Sequence, residues 1–196
     1  MLFDSLILAS VTEELGRTIV GGKVEKVTQP TPLEIVLRVY HVGKTHYLLL
    51  SADAQLARAH LTQIRRENPP TPPAFCSLLR KHLEGAWVDA VSLPLGFGER
   101  VLHIEFRAND GAPLTLIAET MGRLSNIILV SGTGTVLGAA KHIGRDLNRF
   151  RQTLPGQPYV APPRQRQPNR ETKRDPLAPP LLGAGGDASE GEALTP

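Results

Sequence analysis

Val101-Leu102-His103-Ile104-Glu105-Phe106-Arg107, a turn at Asn109-Asp110-Gly111, then Leu114-Thr115-Leu116-Ile117-Ala118-Glu119: this stretch decides the fold. It reads as two short strands joined by a tight connection, because Asn, Asp and Gly supply the backbone freedom that a turn needs. The same reading extends on both sides. Residues 87–93 form a strand-like run before it, and residues 126–130 and 135–140 form two more after it. Pro94 and Ser131-Gly132-Thr133-Gly134 mark the turns between them. Short strands spaced about ten residues apart point to an antiparallel β-sandwich or barrel. The alternation of strands and helices that a Rossmann sheet requires is missing.

Further outward, residues 23–27 alternate polar and apolar, Pro30 and Pro32 break the run, and residues 33–40 resume it. Val42-Gly43 is a hairpin turn before a strand at 45–50. Two helices complete the picture. Residues 72–85 are marked at both ends: Thr71 is the expected cap, Pro72 the first helical residue and Gly85 the stop. Phe75, Leu78, Leu79, His82, Leu83 and Ala86 fall on one face, so Phe75, Leu79 and Leu83 are expected in the core. Arg80, Lys81 and Glu84 are expected to meet solvent or a partner. Residues 4–20 form the second helix, with Asp4 or Ser5 as cap, a stripe of Leu2, Leu6, Val11, Leu15 and Ile19, and Gly21-Gly22 as the stop. The fold class is therefore α+β: an antiparallel β-sandwich flanked by helices, spanning residues 1–163. From Arg164 to Pro196 the chain turns basic, then rich in Pro, Gly and Ala, and is expected to be a linker or disordered tail.

The chain has 196 residues and a net charge of +3. Its cations are sixteen Arg and six Lys, and Arg is the better fork for phosphates and the better cation for stacking on bases. Between Arg58 and His82, five cations, Arg58, Arg65, Arg66, Arg80 and Lys81, stand against one carboxylate, Glu67. The single cysteine, Cys76, excludes an internal disulfide and fits a cytoplasmic location; it is expected to be a small packed residue. Asp4 and Glu13-Glu14 stand where a signal peptide would carry cations and a small-residue cleavage site. No apolar run is long enough to span a bilayer, so no membrane partner is expected. Gly43-Lys44-Thr45 resembles the end of a phosphate loop, but Arg38 occupies the position of the required glycine and a strand follows, so a turn is the reading. The histidines are scattered, no metal or other cofactor is expected, and there is no Gly-x-Ser-x-Gly elbow. Three places stay of interest: Arg80-Lys81 on a helix, Gly98-Glu99-Arg100 at a strand entrance, and Met121-Gly122-Arg123-Leu124-Ser125-Asn126 between two strands, with Glu119 just before it.

Together these motifs resemble the NFACT N-terminal domain family. The resemblance is carried by Phe75-Cys76-x-Leu78-Leu79-Arg80-Lys81-His82-Leu83-x-Gly85 and by Glu119-x-Met121-Gly122-Arg123-x-Ser125-Asn126-Ile127-Ile128-Leu129. In the same order come Gly21-Gly22-Lys23-Val24 with Gln29, Arg58-Ala59-His60-Leu61-Thr62, and Leu154-Pro155-Gly156-x-x-Tyr159-x-x-Pro162-Pro163. Members of this family include the bacterial RqcH-type ribosome quality control factors, often called fibronectin-binding proteins. The resemblance implies an RNA-binding domain that engages tRNA on large ribosomal subunits obstructed by peptidyl-tRNA and supports C-terminal alanine tailing of stalled chains. It also implies likeness to the N-terminal domain of formamidopyrimidine-DNA glycosylases. Leu2 and Phe3 stand where those enzymes carry a proline and a glutamate, so no glycosylase activity, and no enzyme, is expected. The family's Asp-Arg pair, associated with tRNA, corresponds to Glu99-Arg100, with one methylene more. The expected tRNA contacts are Glu99, Arg100, Arg123 and Asn126; the expected phosphate or ribosomal RNA contacts are Arg58, His60, Arg65, Arg66, Arg80 and Lys81. The helix-hairpin-helix, coiled coil and second RNA-binding domain of the family are missing, which suggests a fragment or a reduced homologue. A cell-surface adhesin and a glycosylase-type enzyme are the rival readings.

Overall fold

The computed structural model describes residues 3–96 and 98–163, so the expected tail at 164–196 and Leu2 of the expected helical stripe lie outside the described residues. The described strands are β1 (Lys23–Thr31), β2 (Glu34–His41), β3 (Lys44–Ser51), β4 (Arg58–Leu61), β5 (Trp87–Ser92), β6 (Val101–Arg107), β7 (Pro113–Glu119), β8 (Asn126–Ser131) and β9 (Val136–Ala139). Two α-helices accompany them, α1 (Ser5–Thr18) and α2 (Ala74–Leu83). The class is α+β with a mostly antiparallel sheet, as the strand spacing indicates. The strands form a single hydrogen-bonded sheet in the order β4-β3-β2-β1-β5-β6-β7-β8-β9. Within the half that runs from β5 to β9, β6 and β7 pair without a bulge from Val101↔Glu119 to Arg107↔Pro113, and Gly111 takes the positive φ of 83° that their turn needs.

The joint between the two halves is narrow. Lys23↔Trp87 is the one register pair between β1 and β5, supported by Gly21, Val24 and Val88 backbone bonds at 2.8–2.9 Å. Beyond it the halves part, and β3 comes close to β8 near the other end of the strand order. Between them lies the core: Val27, Leu37 and Leu48 from one half, Ile104, Phe106 and Leu116 from the other, and Leu8, Leu15, Leu79 and Leu83 from the helices. Burying each such side chain is worth about 1.5–3 kcal/mol.

α2 fills the place that β5 leaves. Past the joint, one edge of β1 has no strand beside it, and an unpaired backbone edge in the interior is costly. The Val27 N–H donates to Glu84 Oε1 at 2.9 Å, and the Val27 carbonyl accepts from Arg80 Nε at 2.9 Å. Arg80 and Glu84, expected to meet solvent or a partner, stay about a third exposed, at 34% and 36%, but both side chains also turn back to serve the strand. Cys76, Leu79 and Leu83 form the buried face of α2, whereas Phe75 is half-buried rather than core. Thr71 does not cap the helix; Pro73 holds the cap position and contributes no side-chain bond. Gly85 ends it at φ 90°, and a Cβ there would lie 2.5 Å from Asn109 Nδ2.

Two further differences have simple causes. β1 continues through Pro30 because the register shifts between Thr28 and Thr31, and a proline with no N–H to give is tolerated at such an irregularity. In α1, Asp4 Oδ1 caps the Ile7 N–H at 2.9 Å, but the inward stripe is Leu8, Leu15 and Ile19, and Leu6 is exposed.

Candidate functional site

Three distant stretches meet at one cavity of about 320 Å³. Phe3, just before α1, and Ile7 and Val11 on the helix form an apolar wall; the loop into β4 and β4 itself bring Arg58 and His60; Arg100, Thr120 and Gly122 close the other side. Arg100 stands just before β6 because Thr120 holds its carbonyl twice, through N at 2.9 Å and Oγ1 at 3.2 Å. Its guanidinium is half-buried. It makes one long bond, 3.5 Å to the Phe3 carbonyl, and no ion pair among the described residues. A fork with five N–H donors held at the edge of an apolar cavity can accept a planar or anionic partner. Glu99 beside it is 7% exposed, which leaves Arg100 as the member of the pair that an incoming ligand meets first.

Arg58 is more heavily committed. Its Nη2 reaches Glu34 Oε1 at 3.2 Å, its Nη1 the Leu56 carbonyl at 2.7 Å, and its Nε donates to His60 Nε2 at 3.2 Å. His60 accepts at Nε2, so the tautomer assigned by the network places its proton on Nδ1, 2.8 Å from the Leu61 carbonyl. The other oxygen of Glu34 holds Arg66 at 3.3 Å. One carboxylate missed by reading the cation run alone thus offsets two of its members. Asp53 braces the same loop: its carboxylate accepts from the Gln55 and Leu56 N–H groups, and these bonds hold its pKa below the usual value.

The other expected contacts separate. Arg65 and Arg66 line an open groove on the outer face of β1–β3, apart from the cavity. Lys81 is exposed, and Arg80 is bound to β1. Arg123 is exposed on a 3-10 turn, Gly122–Leu124, next to the cavity wall. Asn126 is the clear correction. It was expected among the tRNA contacts, but its side chain is fully buried. Its Nδ2 donates to the Lys141 carbonyl at 2.9 Å and to Thr153 Oγ1 at 3.4 Å, and its Oδ1 accepts from the Ile127 and Lys141 N–H groups, both at 2.9 Å. No donor or acceptor of this amide is left for a ligand.

Asn126 belongs to a fastening that the strand pattern did not reveal. Glu119 is fully buried, and its Oε1 accepts from Arg151 Nη2 and from the Tyr159 hydroxyl. Arg151 also bonds the Val160 carbonyl and lies 5.6 Å over the Tyr159 ring. Burial pushes the Glu119 carboxyl up, against the pull of Arg151 and Tyr159. Burial, with the Glu119 charge, likewise raises the Tyr159 phenol. Lys141, its Nζ 2.7 Å from the Ala52 carbonyl, is lowered by burial. The segment after β9 is in this way pinned to β7 and β8. Among the described residues there is no group of three or more His, Cys, Asp or Glu able to hold a metal, and no helix is long and apolar enough to cross a membrane.

Comparison with known proteins agrees with this arrangement. The family described as NFACT N-terminal and middle domains matches residues 4–178. The Rqc2 homolog RqcH of Bacillus subtilis is 37% identical over 84% of the chain, and that of Streptococcus pneumoniae 36% identical over 89%. The matched part is 30% and 32% of those two proteins, so the chain spans about a third of the length of the curated relatives it matches. The crystal structure of the N-terminal domain of the fibronectin-binding protein PavA from Streptococcus pneumoniae superposes with a TM-score of 0.78 at 37% identity, covering 83% of this chain and 63% of that one. The fibrinogen binding protein from Staphylococcus aureus gives a TM-score of 0.72 at 31% identity, covering 86% and 59%. The chain belongs to the NFACT family.

Proposed function

We propose that this chain is the tRNA-engaging domain of an RqcH-like ribosome-associated quality control factor, and that the cavity at Arg100 is where tRNA is met. The observation that carries the reading is the meeting of Arg58 and His60 with Arg100, some forty residues further along the sequence, around one opening. Each has a different part. Arg100 offers an uncommitted fork to the edge of an unstacked base, the apolar wall from α1 shelters that base from water, and Arg123 at the rim meets a phosphate. Glu99, the buried neighbour of Arg100 in the chain, completes the acid–base pair. Arg58 and His60, held by Glu34 and by each other, shape the cavity. The large ribosomal subunit with peptidyl-tRNA is the proposed setting and alanine tailing of stalled chains the process served, in the cytoplasm. The boundary of the domain near residue 163 and its fold likeness to glycosylase N-terminal domains are part of the same reading. The chemistry is binding rather than base excision, and an excision assay on oxidised DNA should return no product.

The experiment is a fluorescence-anisotropy titration of the chain with deacylated tRNA at about 50 and about 200 mM salt. Binding that weakens with salt is expected, and Arg123→Ala should lower the slope of log K against log salt by about one unit. A chain that binds no tRNA at the lower salt overturns the proposal.

A further inference from the structure

Gln29 belongs to one of the motifs that carry the family likeness, yet it has no part in the Arg100 cavity. It lines a different one, of about 350 Å³, where the end of β1, the start of α2 and β9 meet. The two cavities share no lining residue. Phe75 and Leu78 of α2, Leu137 of β9, Pro32 and Pro155 make its walls apolar, and no carboxylate lines it. Gly138 lets the helix come close to β9, since a Cβ there would lie 2.9 Å from Leu78 Cδ2. Phe75, Leu78 and Leu137 are half-buried, so each has apolar surface left for a partner.

Two polar features of this cavity are unanswered among the described residues. The first is the start of α2. Pro73 at its cap, with Ala74 and Phe75 in its first turn, lines the cavity, and no side chain caps the helix. The first bond back along the helix is Ser77 N to the Pro73 carbonyl at 3.0 Å, so the N–H groups before it carry the partial positive charge of a helix start. The second feature is Gln29 itself. It is 4% exposed; its Nε2 donates to the Pro32 carbonyl at 2.9 Å, and its Oε1 is buried with no donor. A buried acceptor without a donor is costly, and such atoms are few in folded proteins.

We infer that this cavity binds the C-terminal end of a protein chain whose last residue is apolar. The carboxylate lies at the start of α2, the N–H of the last residue donates to Gln29 Oε1, and its side chain packs on Phe75, Leu78 and Leu137. Charge complementarity selects an anion, because a helix start attracts one and no carboxylate of the cavity answers it. The apolar walls disfavour an inorganic anion, which is held by water on every side. The buried acceptor requires an N–H beside the carboxylate, which a fatty acid lacks. A chain end carries all three groups within one residue, and its capture by backbone N–H groups is a known mode of peptide recognition. The inference does not depend on the Arg100 cavity.

The test is fluorescence anisotropy of the 196-residue chain with a fluorescein-labelled peptide, Gly-Ser-Gly-Ala-Leu, that ends in a free carboxylate. The same peptide with a C-terminal amide should bind about tenfold more weakly. N-methylation of the last residue, which removes its N–H, should weaken binding to the parent about fivefold and leave binding to Gln29→Met unchanged, since that variant has no acceptor oxygen. Ala74→Trp, which fills the opening, should abolish binding. Arg107→Ala, which removes an exposed cation paired with Asp89, serves as the control and should change nothing. Thermal unfolding midpoints equal to the parent's show that each variant is folded; if one is not, the comparison of acid with amide, made on the parent alone, still decides. The inference is overturned if the free-acid peptide does not bind at up to about 1 mM. It is overturned equally if the amide binds as well as the acid, if N-methylation weakens Gln29→Met as much as the parent, if folded Ala74→Trp binds as the parent does, or if Arg107→Ala weakens binding as much. Free leucine or octanoate displacing the peptide as well as unlabelled peptide does would also overturn it, because a chain end would then not be the ligand.

Discussion

The short run from Glu119 to Asn126 borders two regions that treat polar groups in opposite ways. On one side Glu119, Asn126, Arg151, Thr153 and Tyr159 are buried or half-buried and bonded to one another or to the chain, with Glu119 Oε2 and the Ser125 hydroxyl buried without a partner. On the other, Gly122 opens onto a cavity where Arg100 has a single long bond. Both regions contain residues of the same sequence motif. The difference teaches that a conspicuous polar residue can belong to a motif because it fastens the fold or because it meets a ligand, and hydrogen-bond satisfaction tells the two apart. A satisfied buried amide such as Asn126 has nothing left to offer, whereas an arginine with spare donors at an opening does.

If this contrast holds, stability should fall on the closed side and binding on the open side. The largest stability effect should come from Arg151→Ala. It strands the Glu119 carboxylate in the interior and should cost about 3–5 kcal/mol in urea unfolding. A loss under about 1 kcal/mol would show that water or another cation reaches Glu119, and that the closed side is not closed. Leu79→Ala, in the core beneath α2, should cost about 2–5 kcal/mol. A loss below about half a unit would contradict its burial. Arg100→Ala should stay within about 0.5 kcal/mol, as a side chain with one long bond does little for the fold.

A smaller effect sharpens the contrast through pH. Glu119 is raised in the folded state, so its contribution is full below the unfolded carboxyl pKa, about 4.3, and is lost as pH rises through its folded value. Asp53, on the open side, is lowered by its two backbone bonds. Its contribution is present above about 3.9 and is lost as pH falls through its folded value. Unfolding measured from about pH 3 to 7 should therefore show the parent losing ground to Glu119→Gln as pH rises, and losing ground to Asp53→Asn as pH falls. The same sign for both would break the distinction.

Much of the frame was legible in the sequence. The β6–β7 hairpin was written in Asn109-Asp110-Gly111, and the strands flanking it fell within a residue or two of their expected limits. Local periodicity and turn chemistry carry such information. What stayed hidden was set by distant partners. Nothing near Arg80 says that a strand edge at Val27 needs its guanidinium, nothing near Arg58 says that Glu34 lies beside it, and nothing near Asn126 says that Lys141 and Thr153 surround it. The cations from Arg58 to Lys81 were therefore grouped as expected phosphate or ribosomal RNA contacts, although the fold divides them among a cavity, a groove and a helix. The apolar wall from Phe3, Ile7 and Val11 was hidden for the same reason: in the sequence, Phe3 precedes the helix, and Ile7 falls outside the expected stripe. Glu99-Arg100 and Arg123 stood out at a strand entrance and between two strands before the family likeness was drawn, and the structure adds that Arg100 has donors to spare.

The most direct test of the account is the affinity of tRNA for Arg100→Ala against the parent, measured by anisotropy at one low salt concentration, with unfolding midpoints matched. The account predicts binding weaker by about tenfold or more, with the salt slope nearly unchanged, since a base edge and not a phosphate is lost. Affinity equal to the parent's would contradict it and remove the cavity from the proposed tRNA contact.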